Sequence, residues 1–206
     1  MTHLDNLITK IPDILQRYML DLGCGWGEFM KDVESRGGRI VGVDSHPGKA
    51  GICSKAEKLP FEDDVFDFIN ICEVIEHVDN PYLVMKEAYR VLKKDGIIYI
   101  SVPNRFGLID QHYHVPFISW LPRKLGDLLL SLSGKQKDNT QSGKQKLSEM
   151  HYMTFGKTKK LFSSLGFSVE DTRRTSVVSR HPYLLPVYIL CRTVYLDSFH
   201  IILKKI

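Results

Sequence analysis

A glycine-rich loop between an apolar run and a helical segment constrains the fold of this chain more than any other feature. Residues 18–22 form a short apolar run typical of a buried strand, and residues 27–36 have the spacing of a helix. The loop that joins them contains Asp21, Gly23, Cys24, Gly25, Trp26 and Gly27. Glycine adopts positive φ without penalty and lets a ligand approach the backbone closely. Such a loop at the carboxyl end of a strand lines the crevice where open α/β sheets bind ligands.

Strand-like and helix-like segments alternate along most of the chain. We predict strands at 18–22, 39–43, 52–54, 65–72, 96–102, 167–172 and 198–204. We predict helices at 4–17, 27–36 and 81–94, within 115–132, and at 154–165. Repeated strand–helix–strand order favours a parallel sheet with helices on both faces. A length of 206 residues with 43% hydrophobic residues fits a single domain, 1–206, with a full core.

The acid that closes the second predicted strand favours a nucleoside site. Asp44 follows the strand at 39–43, where a carboxylate can accept hydrogen bonds from both hydroxyls of an adenosine ribose. A tight turn beside a surface aspartate would explain the same residues without any ligand. The loop spacing is D-x-G-x-G-x-G, which differs from the dinucleotide fingerprint G-x-G-x-x-G.

With this spacing the loop resembles the first motif, E/D-x-G-x-G-x-G, of the class I S-adenosylmethionine (SAM)-dependent methyltransferases. Later segments resemble further motifs of that family in the same order: AEKLPF at 56–61, DFINICEVIEHVDN at 67–80, YRVLKKDG at 89–96, SVPN at 101–104 and LGF at 165–167. The chain is most similar to the methyltransferase type 11 group, which includes ubiquinone-biosynthesis enzymes. The resemblance implies an α/β fold, a Rossmann-like three-layer α/β/α sandwich. Its seven-stranded sheet would be mostly parallel, with an antiparallel last strand.

The resemblance also implies where the cofactor lies. The loop and three later segments would hold SAM and its product S-adenosylhomocysteine (SAH). The implied cofactor-binding residues are Asp21, Gly23, Cys24, Gly25, Trp26, Gly27, Asp44, Ser45, Ala56, Glu57, Lys58, Cys72 and Glu73. Two parts depart from the family, because residues 45–51 are too few for the usual helix and residues 104–150 match no family motif. We predict a cap or insert at 104–150, with a flexible polar loop at 133–149.

His77 is the candidate general base for methyl transfer. By the resemblance it follows the strand whose end faces the methyl group, and histidine titrates near neutrality. A structural role at the start of a helix is the alternative. A second set, His112, Tyr113, His114 and His151, would line the substrate pocket, with the alternative that they are solvated, as histidines in polar loops more often are. The four cysteines lack metal-ligand spacing, so no metal is expected.

The predicted function is methyl transfer from SAM to a small molecule at oxygen or carbon. The motif [DN]-P-P-[YFW] of amino-group methyltransferases is absent after the fourth strand. The alternatives are a methyltransferase acting on RNA or protein and a non-catalytic SAM-binding protein. Lys135, Lys137, Lys144 and Lys146 would serve RNA, but the net charge is only +4 and no aromatic surface accompanies them, so no nucleic acid is expected.

The apolar helix within 115–132 has adjacent basic residues. It would pack as a cap, or contact an apolar substrate or a membrane surface as a peripheral helix. The sequence shows no secretory signal and no apolar stretch long enough to span a bilayer, which predicts a cytoplasmic protein. The oligomeric state is not predicted.

Overall fold

The structure is a computed structural model that describes residues 2–134, 145–173, 181–194 and 196–206. Its strands form one seven-stranded sheet in the order β3-β2-β1-β4-β5-β7-β6. The strands are β1 (Tyr18–Leu22), β2 (Arg39–Asp44), β3 (Ile52–Cys53), β4 (Phe66–Ile71), β5 (Leu92–Pro103), β6 (Phe167–Asp171) and β7 (Ser198–Lys205). β1 to β5 pair in parallel, whereas β7 runs antiparallel to β5 and β6. The predicted mostly parallel sheet with an antiparallel last strand is therefore confirmed.

Helices cover both faces of the sheet, as the predicted three-layer sandwich requires. They are α1 (His3–Lys10), α2 (Glu28–Ser35), α3 (Pro81–Val91), α4 (Arg123–Leu132), α5 (Phe155–Ser164) and α6 (Leu185–Val194). Apolar residues of α3 and α5 join the buried cluster on one face, and those of α1 and α2 join the cluster on the other. Successive strand residues divide between these clusters, as with Met19 and Leu20 in β1, because side chains alternate along a strand.

The predicted helix at 4–17 is wrong as a single element. α1 ends at Lys10, and a separate 3-10 turn spans Ile14–Gln16. Pro12 explains the break, since proline lacks an amide hydrogen and disfavours helical backbone in the residue before it. Ile11 is accordingly non-helical, at φ −135° and ψ 82°.

The predicted helix at 81–94 begins as expected and ends early. Asn80 caps α3 by accepting hydrogen bonds from the amides of Tyr82 and Leu83. The helix ends at Val91, because Leu92 is fully buried and pairs with Phe66 as the first residue of β5. Tertiary pairing therefore overrides the helical pattern in this segment.

The connection from β2 to β3 contains no helix, as the short spacing predicted. Residues 45–51 form bends and turns, and Gly51 adopts φ +86° where the chain returns to β2. A Cβ atom on Gly51 would lie 2.3 Å from the Gly42 carbonyl oxygen, which is backbone and cannot move aside. Only glycine lets the two chain segments approach this closely.

Replacing Gly51 with alanine should lower the free energy of unfolding by about 2–4 kcal/mol, through left-handed backbone and steric overlap together. Gly48→Ala is the matched control, since Gly48 also has a left-handed φ of +89° but would meet no atom within 4 Å. Gly48→Ala should lower the free energy of unfolding by only about 1–2 kcal/mol. Urea unfolding measures both, and equal losses would contradict the overlap at Gly51.

The segment between β5 and α5 forms a small apolar cluster of its own, most of it in the 104–150 insert. Its buried members are Tyr113, Ile118, Leu130, Leu147, Met150 and Tyr152. α4 packs Gly126 and Leu130 inward and leaves four leucines exposed: Leu125, Leu128, Leu129 and Leu132. Most of the predicted loop at 133–149 lies outside the described residues. No helix in the described part of the chain is long and apolar enough to cross a membrane.

Candidate functional site

A cavity of about 590 Å³ opens where β1, β2 and β4 end. This is the edge of the sheet at which open α/β folds bind their ligands. Seven of the predicted site residues line the cavity: Gly23, Asp44, Ser45, Ala56, Glu57, Glu73 and His77. The structure therefore brings together residues from all four segments that the family resemblance assigned to the cofactor, namely the glycine loop, 44–45, 56–58 and 72–73.

The glycine loop is held against the end of β2 by its own backbone. The amides of Gly23 and Cys24 both donate to the Val43 carbonyl oxygen, at 2.7 and 3.1 Å. Gly23 has φ +79°, and a Cβ atom there would lie 2.3 Å from Cγ2 of Val74. Only glycine at this position lets the loop pack this closely against Val74, which also lines the cavity.

Asp44 presents an ordered carboxylate on the cavity wall. Its Oδ2 accepts a hydrogen bond from the Gly25 amide at 3.0 Å, and its Oδ1 accepts one from the His46 amide at 3.0 Å. Each carboxylate oxygen has capacity for a further donor. The geometry suits a carboxylate that receives two neighbouring hydroxyl groups from a ligand in the cavity.

Asp21 lies beneath the loop and not on the cavity surface. It is buried, and its Oδ1 accepts a hydrogen bond from Nδ2 of Asn70 at 2.8 Å. Burial raises the pKa of Asp21 to about 6, and the nearby charge of Asp44 adds to the rise, while the Asn70 bond opposes it. Asp21 therefore holds its proton in the folded protein at pH values where it is ionised in the unfolded chain.

The stability of the ligand-free protein should fall as pH rises from about 4 to about 6, because the folded state binds the Asp21 proton more tightly than the unfolded state. A shift of about two pKa units corresponds to about 3 kcal/mol. Asp21→Asn keeps an acceptor for Asn70 and does not titrate. Urea unfolding of both proteins between pH 4 and 7 checks this, since the wild type alone should carry this loss. Parallel stability curves would count against it.

Several implied cofactor residues lie beside the cavity without lining it. The Cys24 thiol donates to the Ala50 carbonyl oxygen, and burial raises its pKa to about 11. Burial also raises the pKa of Cys72. Trp26 is 66% exposed, with the Lys49 ammonium 3.4 Å from its ring centre, and Lys58 is exposed. Both thiols are therefore protonated at neutral pH, which makes them poor nucleophiles.

His77 faces the cavity, as a general base must. Its Nδ1 lies 2.6 Å from Oε1 of Gln145, and its Nε2 lies 3.8 Å from Oε1 of Glu76. Its ring meets the His112 ring edge-on, with centroids 5.2 Å apart. Gln145 belongs to the 104–150 insert, so that segment contributes to the same cavity.

The residues predicted to bind substrate do not line this cavity. Tyr113 is buried, and its hydroxyl donates to the Gln145 carbonyl oxygen at 3.0 Å. His114 is exposed, at φ 52°. His151 donates its amide to the Glu76 carbonyl oxygen. Tyr113 thus positions a residue of the cavity wall, and a substrate contact for the three stays a prediction.

Sequence reasoning missed four residues that shape the site, namely His46, Glu76, Gln145 and Glu149. His46, Gln145 and Glu149 line the cavity, and Glu76 lies fully buried behind His77. Glu76 alone could have been found from the sequence, because it lies three residues after Glu73 and directly before His77, two residues that were themselves predicted to belong to the site. The other three belong to segments without any motif.

Comparison with known proteins agrees with this geometry. Residues 20–100 match a family described as "Methyltransferase domain". An uncharacterized protein of Methanocaldococcus jannaschii is 34% identical over 99 residues, which cover 46% of this chain and 48% of that protein. A ubiquinone biosynthesis O-methyltransferase of Parvibaculum lavamentivorans is 30% identical over 129 residues, covering 52% of this chain and 50% of the relative. The match thus extends over only about half the length of these relatives.

Solved structures share the fold over nearly the whole chain. A SAM-dependent methyltransferase from Mesorhizobium loti superposes with a TM-score of 0.64 at 16% identity, covering 98% of this chain and 96% of that one. One from Methanosarcina mazei gives 0.59 at 21% identity, covering 96% and 97%. Family match, sheet order and glycine loop agree: residues 20–100 are similar to the methyltransferase domain family, and the whole chain shares the fold of SAM-dependent methyltransferases.

Proposed function

We propose that this chain transfers a methyl group from SAM to an oxygen or carbon atom of a small molecule. The observation that carries the proposal is the shared cavity, because Asp44, the glycine loop and the imidazole of His77 all meet there. A cofactor-binding carboxylate and a candidate base would thus act on one bound pair of ligands.

The residues that line the cavity divide by chemistry into two ends. Asp44 and Ser45, with Ala56 and Glu57 nearby, would receive the adenosine part of SAM. The glycine loop and the segment at Cys72 and Glu73, of which only Glu73 lines the cavity, would receive the methionine part. His77 lies beyond the latter segment, where the methyl group would point.

The proposed reaction is an in-line displacement at the methyl carbon. The acceptor oxygen forms a bond to that carbon while the carbon–sulfur bond breaks, and the electron pair stays on sulfur, so SAH leaves as a neutral thioether. The proton of the acceptor hydroxyl passes to Nε2 of His77. Nδ1 of His77, hydrogen-bonded to the side-chain oxygen Oε1 of Gln145, would carry the other proton of the ring. The buried Glu76 carboxylate then faces the imidazolium that forms.

The exposed face of α4 supports an apolar acceptor or a peripheral membrane contact. Leu125, Leu128, Leu129 and Leu132 are each more than two-fifths exposed. Such a face on the insert would contact an apolar substrate or a membrane surface. A macromolecular acceptor has less support, because the net charge of the chain is only +4.

A screen for SAH release across fractionated metabolite pools tests this function. Mass spectrometry should then show a small molecule heavier by one methylene unit, with the methyl group on oxygen or carbon. Release of SAH only with RNA or protein fractions would replace the proposal by the macromolecular alternative. Binding of SAM without turnover in any pool would indicate a SAM-binding protein without catalysis.

A further inference from the structure

Three side chains with metal-binding atoms meet behind the wall of the cavity. Nε2 of His112 lies 3.4 Å from Oε1 of Glu76, and Nε2 of His77 lies 3.8 Å from the same oxygen. One ligand atom from each residue lies within 4.8 Å of the other two. The cluster joins the segment after β4 to the 104–150 insert.

Glu76 is the unusual member of the cluster. Its side chain is fully buried, and neither carboxylate oxygen accepts a hydrogen bond from any residue the structure describes. A buried carboxylate without donors is strongly unfavourable unless a cation compensates its charge. Both neighbouring histidines point a ring nitrogen at this carboxylate, which places three donors around one point.

The surroundings direct the His77 imidazole at Glu76 and hold the backbone that carries His112. Nδ1 of His77 is hydrogen-bonded to the Gln145 side-chain oxygen, which leaves Nε2 as the nitrogen directed at Glu76. A histidine that binds a metal commonly donates its other ring N–H to such an oxygen. Asp110 fixes the turn that carries His112 by accepting a hydrogen bond from the His112 amide at 2.9 Å.

The distances suit a small divalent ion. Ligands about 2.1 Å from a tetrahedral zinc ion lie about 3.4 Å from one another. The Glu76–His112 distance of 3.4 Å already has this value, and the Glu76–His77 distance of 3.8 Å exceeds it slightly. Two imidazoles and one carboxylate favour zinc-type ions over magnesium or calcium, which prefer oxygen ligands.

We propose that Glu76, His77 and His112 bind one divalent transition-metal ion, with Zn²⁺ as the reference ion. Three protein ligands leave a fourth position open, as in catalytic zinc sites. His77 lines the cavity, so one of the three ligands borders the space proposed for the acceptor. The two cysteines near the glycine loop take no part, which explains why cysteine spacing gives no sign of this site.

The ion would add a second way to deprotonate the acceptor in the proposed methyl transfer, and this part of the inference rests on that proposed function. An acceptor hydroxyl bound to the ion would lose its proton more readily, and that proton would pass to solvent. The oxygen then attacks the methyl carbon as before. His77 is a ligand in the ion-bound chain, so its role as the proton acceptor belongs to the ion-free chain.

Calorimetric titration of tag-free protein, stripped with a chelator and desalted, tests the site with Zn²⁺ alone. One ion per chain should bind, and Co²⁺ should give the strong visible absorption of four-coordinate cobalt. Glu76→Gln keeps the size of the side chain and removes its charge, and His112→Asn removes a ligand. Each should weaken Zn²⁺ binding by at least about 100-fold, more than the 10–100-fold typical of outer-shell changes. His181→Asn, at an exposed position away from the cavity, should bind Zn²⁺ like the wild type.

Zn²⁺ should also raise the melting temperature of the wild type and not that of the two ligand variants.

Equal Zn²⁺ affinity in wild type, Glu76→Gln and His112→Asn would overturn the site, as would no binding by a folded wild type. If Glu76→Gln fails to fold, the comparison of His112→Asn with His181→Asn decides. Methyl transfer that persists in the stripped enzyme, together with no Zn²⁺ binding, would refute the ion and leave the proposed function intact. Zn²⁺ binding without methyl transfer to any pool would refute the function and leave the ion.

Discussion

Replacing His77 with alanine should lower methyl-transfer turnover by about 10²–10⁴-fold, the range typical of a positioned general base. The imidazole faces the cavity and lies beyond the segment proposed for the methionine end of SAM. The proton of the acceptor would otherwise have to leave to water during the displacement. The affinity for SAH should hardly change, because Asp44 and the glycine loop would still bind it. Turnover at saturating SAM and calorimetry with SAH measure the two effects.

The control for His77→Ala is His181→Ala, which removes an exposed imidazole far along the chain. Its turnover should equal that of the wild type. A His77→Ala enzyme with unchanged turnover would show that the acceptor arrives ionised or that another group takes its proton. A loss of SAH affinity as large as the loss of turnover would instead assign His77 to cofactor binding.

Local sequence signals were sufficient for the part of the fold that carries the cavity. The glycine spacing, Asp44 and the apolar run of β4 each depend on residues close together in the chain. Parallel strands place their carboxyl ends at one edge, so these segments had to meet there. A single seven-stranded sheet with an antiparallel last strand came from the family resemblance and not from any local pattern, and the order of the strands was not predicted.

The buried cluster behind His77 could not be predicted in the same way. His112 and Gln145 come from parts of the 104–150 insert that carry no family motif, and they reach His77 only through tertiary folding. In the sequence, Glu76 is only one of several acidic residues that follow β4. Its complete burial, which makes it chemically unusual, depends on the insert and cannot be seen in local spacing.

The errors in the helices have a related cause. Pro12 is a local signal that the apolar periodicity of residues 4–17 obscured, and it ends α1 at the preceding turn. At the end of α3, in contrast, the helical spacing continues through Leu92, and only the pairing of Leu92 with Phe66 shows that the strand has begun. Sheet pairing between distant segments outweighs local preference there.

Replacing Asp44 with alanine should weaken SAH binding by about 1–3 kcal/mol, or about 5–150-fold, because two ribose hydroxyls would lose a charged acceptor. Asp44→Asn retains one acceptor oxygen and loses the charge, so its affinity should lie between those of the wild type and Asp44→Ala. Glu57→Ala should have a smaller effect, since Oε1 of Glu57 already accepts hydrogen bonds from the amides of Asp79 and Asn80. Calorimetry with SAH ranks the four proteins.

Asp44 also accepts a hydrogen bond from Gly25, so Asp44→Ala could weaken SAH binding by loosening the loop alone. A SAH analogue that lacks the ribose 2′-hydroxyl separates the two causes through a double-mutant cycle. The analogue should bind the wild type more weakly than SAH does, whereas Asp44→Ala should bind SAH and the analogue almost equally. If instead the analogue loses the same free energy in both proteins, Asp44 does not contact the ribose. The carboxylate would then serve only to hold the glycine loop, and the ribose contact would have to be assigned to another residue of the cavity wall.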